Sequence, residues 1–292
     1  MVAHNTARRL IVNADDLGLS PGINQGIVEC AQGGVVTSTT AMTNMPYVQA
    51  GLELVRRKVP HLGVGLHLNL SFGRPLSDPA EVPSLVRGDG QFVSVSRGIA
   101  SSRRWQPDEV RLEFHAQLER FVALTGELPD HLDSHQMVGS LSAVCREAML
   151  DLAETHALPV RRGGRAAFRL LEQEAARRLY LTQPWMPPLL GTLPWGRYNH
   201  IYDRAALETD HFEIGFFDST ATVETLLRIL EELPAGITEL VCHPGYLDEA
   251  ADGYRGREVE LAALTDARVA QKVAAEGVEL TTFAALRRAP DR

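Results

Sequence analysis

Short apolar runs alternate with helical patterns over the first seventy residues. Apolar or β-branched runs predict strands at 10–12, 35–42 and 62–70, and the segments between them predict helices at 21–32 and 47–57. Ser20 followed by Pro21 is typical of a helix start, and Gly33 is typical of a helix end. This alternation indicates βαβ units and a parallel sheet.

The remaining chain continues the same pattern with two interruptions. Strands are predicted at 131–133, 158–160, 211–217, 236–242 and 278–282, and helices at 107–124, 141–156, 223–233 and 257–276. The first interruption, at about 71–106, is rich in proline and glycine, and a loop of that length is often a lid. The second, at about 163–205, contains large side chains, which either pack on the core or line an apolar or sugar-stacking wall.

Length and composition fit one large α/β domain or two small ones. The chain has 292 residues, of which 45% are hydrophobic. It contains no internal repeat, low-complexity tract or obvious linker. We therefore expect a single domain over 1–292.

Charge and cysteine content indicate which binding partners and which cellular compartment to expect. Lysine and arginine number 29 against 37 acidic residues, a net charge of −8, which argues against a nucleic-acid partner. Three widely spaced cysteines predict buried apolar residues in a reducing cytoplasm, not disulfides. No run reaches the roughly 20 apolar residues of a membrane helix, and the N-terminus has no hydrophobic signal core.

An acidic pair, Asp15 and Asp16, follows the first predicted strand. Burying carboxylates costs several kcal/mol unless they are paired or bind a cation. A metal site explains the pair, and so does a simple turn, in which Asp is common.

Other predicted strands also end in groups suited to metal binding. The third strand contains His67, a later one leads into His135, and the strand over 236–242 leads into His243. In barrel and open α/β architectures the carboxyl ends of strands build the active site. One Asp and two His would hold a catalytic metal and leave room for water, while a second carboxylate acts as base and a further His as acid.

Rival motifs are absent from the sequence. There is no G-x-S-x-G elbow, no G-x-G-x-x-G after the first strand and no P-loop. Two adjacent carboxylates also suit a metal and a base better than the opposed pair of a glycosidase. The residues therefore indicate metal-dependent hydrolysis of an amide or ester.

The motifs together resemble the YdjC/ChbG-like carbohydrate deacetylases, a family that includes chitooligosaccharide and hopanoid-associated branches. The matching segments are 13–24, 33–42, 65–68, 133–136, 242–246 and 254–264. The resemblance implies a distorted (β/α) barrel with mostly parallel strands. It also implies a divalent metal and the removal of an acetyl group from an N-acetylated sugar.

The resemblance also implies roles for individual residues. The residues implied as metal ligands are Asp16, His67 and His135. Asp15 matches the family's general base and His243 matches its general acid. Arg257 matches a basic residue that would orient Asp15. His131 is interpreted as an ordinary hydrogen-bonded residue. Zn²⁺ or Mg²⁺ is the expected ion, with Ni²⁺, Co²⁺ or Mn²⁺ as alternatives.

The chain departs from the family pattern directly after His135. Met137, Val138 and Gly139 stand where the family often continues with His-x-His, which predicts a more apolar pocket with extra room at Gly139. The substrate could then be an amphiphilic or aromatic glycoconjugate. The alternatives are hydrolysis of another amide or ester, or an inactive glycan- or lipid-binding protein; a homodimer is the base-rate expectation.

Overall fold

The computed structural model describes residues 7–93, 104–162, 207–251 and 253–287. Its strands are β1 (Arg8–Leu17), β2 (Ser38–Ala41), β3 (Gly63–Leu68), β4 (Leu132–Ser134), β5 (His211–Glu213), β6 (Gly236–Cys242) and β7 (Glu279–Leu280). The predicted strands near these positions are confirmed, although most are shorter than their apolar runs. Residue Val160 forms only an isolated bridge to Leu132.

Helices separate most of the strands. They are α1 (Pro21–Gly33), α2 (Val48–Lys58), α3 (Pro107–Thr125), α4 (Val138–Leu141), α5 (Ala143–His156), α6 (Val223–Glu231), α7 (Arg257–Leu264), α8 (Ala267–Ala275) and α9 (Ala284–Arg287). Ser20 caps α1 as predicted, because its Oγ accepts a hydrogen bond from the Ile23 amide at 3.1 Å. The single helix predicted over 257–276 is wrong, since Asp266 is extended and caps a new helix, α8.

The described strands form a sheet in the order β4-β3-β2-β1-β6-β5, and β7 also pairs with β1. Strand β1 pairs in parallel with β2, β6 and β7, β3 with β4, and β5 with β6. Parallel pairing requires crossover connections, and helices supply them here. The predicted α/β fold, of distorted (β/α) barrel type, is confirmed.

The chain divides into two compact units. The first contains Met1–Ala41, Pro46–Gly65 and Glu208–Arg292, and the second contains Met42–Met45 and Leu66–Leu207. Strand β3 begins in the first unit and ends in the second. Whether the two act as one domain over 1–292 stays a prediction.

In the first unit the apolar residues of β1 and β6 pack against the C-terminal helix. Ile11, Ile237, Phe283 and Leu286 form a buried cluster. Each side chain of this size contributes roughly 1.5–3 kcal/mol when fully buried. This packing fixes the strands whose ends carry the acidic pair and His243.

In the second unit a buried carboxylate anchors the first long loop. Glu113 of α3 accepts hydrogen bonds from the amides of Leu76 and Ser77, at 3.1 and 2.9 Å. Residues 71–93 are thus tied to α3. The rest of the predicted lid, at 94–103, lies outside the described residues, as do 163–206, where the predicted wall falls.

The three cysteines are free and buried, as predicted. Burial raises the pKa of the Cys30 and Cys145 thiols to about 12, so neither is a ready nucleophile. Among the described helices, none combines the length and apolar character needed to cross a membrane.

Candidate active site

The acidic pair lies at a bend that ends β1. Asp15 and Asp16 are both buried, and Asp16 adopts a left-handed conformation with φ of 74°. Gly18 follows with φ of 100°, and its amide donates to the Asn24 side chain at 2.7 Å. The pairing of β1 with β2 is irregular at this point. The bend interrupts strand alternation, which explains how two adjacent carboxylates can both be buried.

Asp15 accepts a hydrogen bond from its own strand and lies near His243. The Asn13 amide donates to Asp15 Oδ1 at 2.8 Å. Asp15 Oδ2 lies 3.9 Å from His243 Nε2, beyond hydrogen-bond distance. Ala14 of β1 is in register with Cys242 of β6, so each strand presents its next residue, Asp15 or His243, at the same end.

Asp16 forms a buried ion pair with Arg257. The guanidinium Nη2 donates to Asp16 Oδ2 at 2.6 Å, and the two side chains are 1% and 2% exposed. Arg257 begins α7 and also donates to the His243 carbonyl at 3.3 Å. Arg257 is therefore paired with Asp16, the predicted metal ligand. That Arg257 also orients Asp15 stays a prediction.

A second buried carboxylate, Glu260, lies behind His243. Glu260 accepts from the His243 amide at 2.5 Å and from the Tyr254 hydroxyl at 2.7 Å. Its Oε1 is 3.9 Å from His243 Nδ1. Burial raises the pKa of Glu260, and the nearby His243 opposes that rise. Because Asp15 faces one ring nitrogen and Glu260 the other, His243 lies between two acidic groups.

Aromatic side chains surround His243 within the first unit. The Phe217 ring stacks on Tyr254 at 4.4 Å, and both rings meet His243 edge-on. Tyr254 OH accepts from the Asp218 amide at 2.6 Å. Burial, together with Glu260, raises the pKa of Tyr254. The imidazole is therefore packed against two aromatic rings, while hydrogen bonds hold the backbone of His243.

In the second unit His67 is hydrogen-bonded to a buried carboxylate. His67 Nδ1 is 2.6 Å from Asp133 Oδ1, and Arg161 Nη2 is 2.8 Å from Asp133 Oδ2. His67 and Asp133 are directly in register on β3 and β4. This contact leaves Nε2 as the ring nitrogen that can serve as a ligand.

His135 directly follows β4 and is 4% exposed. Its ring meets the His67 ring edge-on, with centroids 5.4 Å apart. The next two residues, Gln136 and Met137, both have positive φ values, 50° and 57°. Such conformations are uncommon outside glycine, and they turn the chain sharply after the histidine.

The predicted extra room at Gly139 is wrong. A Cβ at this position would lie 2.9 Å from Ser134 Oγ and 3.1 Å from Met149 Cε. The Gly139 amide also donates to Ser134 Oγ at 2.9 Å. The space is therefore filled from within the second unit.

The contacts also show how His131 is held. His131 Nδ1 is 2.5 Å from Asp130 Oδ1, which agrees with its interpretation as a hydrogen-bonded residue. The contacts of Asp133 and Glu260 with the histidines of the site were not predicted from the sequence. Strand register could have indicated Asp133, and a helical spacing of three from Arg257 could have indicated Glu260.

Comparison with known proteins identifies the family. The family model of YdjC-like proteins matches residues 9–275. A carbohydrate deacetylase of Thermoanaerobacter pseudethanolicus is 34% identical, over 95% of this chain and 99% of its own. A chitooligosaccharide deacetylase of Proteus mirabilis is also 34% identical, over 95% of this chain and 98% of its own.

One solved structure is also similar to this chain in fold and in sequence. The crystal structure of an Enterococcus faecalis protein, provisionally named for cellobiose-phosphate cleavage, matches with a TM-score of 0.80 and 29% identity. The match covers 96% of this chain and 99% of that one. The family model and the relatives span nearly the whole chain, and the chain therefore belongs to the YdjC-like protein family.

Proposed function

We propose that this protein is a carbohydrate deacetylase, a metal-dependent hydrolase that removes the acetyl group of an N-acetylated amino sugar. The observation that carries the proposal is a buried acidic pair at the end of β1, with His243 beside Asp15. The relatives named carbohydrate deacetylases support the reaction, because they align over almost their full length.

The proposed metal ligands are Asp16, His67 and His135. They supply one carboxylate and two imidazoles, and all three are buried. This donor set fits a divalent ion with room left for water and substrate. Imidazole ligands favour Zn²⁺, Ni²⁺, Co²⁺ or Mn²⁺ over Mg²⁺, which prefers oxygen. The proposed ion is therefore Zn²⁺ on the ground of these ligands, or Mg²⁺ on the ground of the family resemblance, with Ni²⁺, Co²⁺ or Mn²⁺ as alternatives.

When bound, the ion would polarise the acetyl carbonyl and make water more acidic. Asp15 would then accept the proton of the attacking water at Oδ2. The hydrogen bond from Asn13 to Oδ1 supports this division, because it restrains the carboxylate and directs Oδ2 toward His243. Proton transfer by such a base contributes typically 10²–10⁴-fold to a rate.

His243 would donate a proton from Nε2 to the departing amine. In this scheme Asp15 gains one proton and the neighbouring His243 loses one, so the number of protons on the pair does not change. Glu260 and Arg257 hold the backbone of His243, Glu260 through its amide and Arg257 through its carbonyl. The products are acetate and a free amino sugar.

Arg257 would act on Asp16. Its guanidinium compensates the charge of a carboxylate that is 2% exposed. A carboxylate has two oxygens and about four acceptor positions, so an arginine on one oxygen is compatible with a cation on the other.

A substrate screen tests the proposal. Purified protein is incubated with each divalent ion and with N-acetylglucosamine, its oligomers, acetyl esters and other amides, and products are read by mass spectrometry. The proposal expects an N-acetyl sugar to exchange one acetyl group for hydrogen. Cleavage restricted to esters or other amides would favour a different hydrolase. Binding of glycans without turnover under every metal would favour an inactive binding protein.

A further inference from the structure

The imidazole of His67 contacts a buried carboxylate through Nδ1, the nitrogen that the proposed metal would not use. Nδ1 is 2.6 Å from Asp133 Oδ1, and Arg161 Nη2 is 2.8 Å from Asp133 Oδ2. The three side chains are 1%, 0% and 6% exposed. Water therefore has little access to this group.

We propose that Asp133, held by Arg161, is a positioning residue that fixes the tautomer of His67 and so sets the affinity of the protein for its metal. The inference rests on the proposed function in one respect, the assignment of His67 as a ligand. It assigns a role to two residues outside that ligand set.

The tautomer of His67 depends on which hydrogen bonds its neighbours can donate or accept. An ionised carboxylate only accepts hydrogen bonds, so the short contact with Asp133 places the imidazole proton on Nδ1. A neutral imidazole carries one N–H, and Nε2 then presents a lone pair. Metal-binding histidines usually donate their other N–H to such a carboxylate, which orients the ring and raises ligand basicity.

Arg161 makes this arrangement compatible with burial. A carboxylate removed from water requires a compensating charge. Arg161 provides it at Oδ2 and leaves Oδ1 directed at His67. The direct register of His67 with Asp133 on β3 and β4 keeps the two side chains on the same face of the sheet.

Asp133→Asn is the primary test, because asparagine has the same shape but only one acceptor oxygen. The Arg161 cation attracts that oxygen, which turns the NH₂ group toward His67 Nδ1. Nδ1 must then accept, and the proton moves to Nε2, where it blocks the ligand lone pair. Calorimetric titration of metal-free protein with Zn²⁺ should show an affinity loss of about 10–100-fold.

A second variant separates this role from a merely structural one. In Asp133→Asn/Arg161→Met no cation competes for the asparagine oxygen, so it can again accept from His67 Nδ1. Zn²⁺ affinity should recover in part relative to Asp133→Asn alone. The matched control is Asp130→Asn, which removes the charge of the carboxylate 2.5 Å from His131 Nδ1 and should leave Zn²⁺ affinity unchanged.

Three results would overturn the inference: wild-type Zn²⁺ affinity in Asp133→Asn, no recovery in the double variant, or an equal loss in Asp130→Asn. If Asp133→Asn fails to fold, the tautomer is read in metal-free wild type by long-range ¹H–¹⁵N NMR. The His67 signals are identified by their absence in His67→Gln; a proton on Nδ1 supports the inference and one on Nε2 overturns it. Wild-type Zn²⁺ affinity in His67→Gln would instead overturn the proposed ligand set.

Discussion

Replacing Arg257 by methionine should strongly destabilise the metal-free protein. Arg257 is 1% exposed, and its guanidinium is 2.6 Å from a carboxylate oxygen of Asp16, itself 2% exposed. Methionine preserves much of the apolar stem but removes the charge. Asp16 is then a buried carboxylate without this cation.

The magnitude follows from the burial of both partners. Breaking a buried ion pair by removing one partner costs about 3–5 kcal/mol, mainly because the remaining charge is uncompensated. We therefore expect the free energy of unfolding of Arg257→Met, from urea titration followed by circular dichroism, to fall by about that amount. Measuring metal-free protein separates this effect from metal binding.

Two further variants make this prediction specific. Arg268→Met removes an exposed arginine that pairs with Asp266 at 2.9 Å, and it should leave stability nearly unchanged. Asp16→Asn/Arg257→Met removes both buried charges and should be more stable than Arg257→Met by more than about 1 kcal/mol. Equal losses in Arg257→Met and Arg268→Met, or no recovery in the double variant, would refute the reasoning.

Three other predictions concern the first unit. Asp15→Asn should lower kcat by about 10²–10⁴-fold while the bound metal, measured by atomic emission, stays stoichiometric; a wild-type rate would exclude Asp15 as the base. Gly26→Ala should lower the free energy of unfolding by about 1–3 kcal/mol and lower activity, because the new Cβ would lie 2.5 Å from Gly245 Cα, close to His243. Gly33→Ala is the control in the same helix, because a Cβ there would have nothing within 4 Å. Burial raises the pKa of Glu260 above its ordinary 4.5. Because the folded state then holds the proton more tightly than the unfolded state, wild type should lose stability as the pH rises from 4.5 through the raised pKa. Glu260→Gln cannot ionise, so its stability relative to wild type should increase over that window; a difference independent of pH would contradict this.

The order of strands and helices was largely predictable, because apolar runs and helix caps are local signals. Ser20 capped α1 as its sequence indicated. The predicted helix over 257–276 failed because helical periodicity continues across Asp266, whereas its side chain caps the following residues. Strands β2 and β5 are shorter than their apolar runs because only some of those residues pair with a neighbouring strand. The sequence of one segment does not show which of its residues will pair.

The residue types of the site were predictable from the sequence, but their hydrogen-bond and ion-pair partners were not. Strand ends indicated Asp15, Asp16 and His243, and the structure brings these three together in the first unit. The partners of charged residues depend on register and burial, so the pairing of Asp133 with His67 was missed. The packing at Gly139 was mispredicted for the same reason, since Met149 belongs to a separate helix.

The most direct measurement is the release of acetate and free amine from an N-acetylglucosamine oligomer by protein stripped of metal and then resupplied with a divalent ion. We expect stripped protein to be inactive, and acetate and amine to appear in equal amounts once Zn²⁺ or another divalent ion is restored. With metal restored, Asp15→Asn should remain about 10²–10⁴-fold slower than wild type. Equal rates before and after metal is restored, or full activity in Asp15→Asn, would contradict the proposed mechanism.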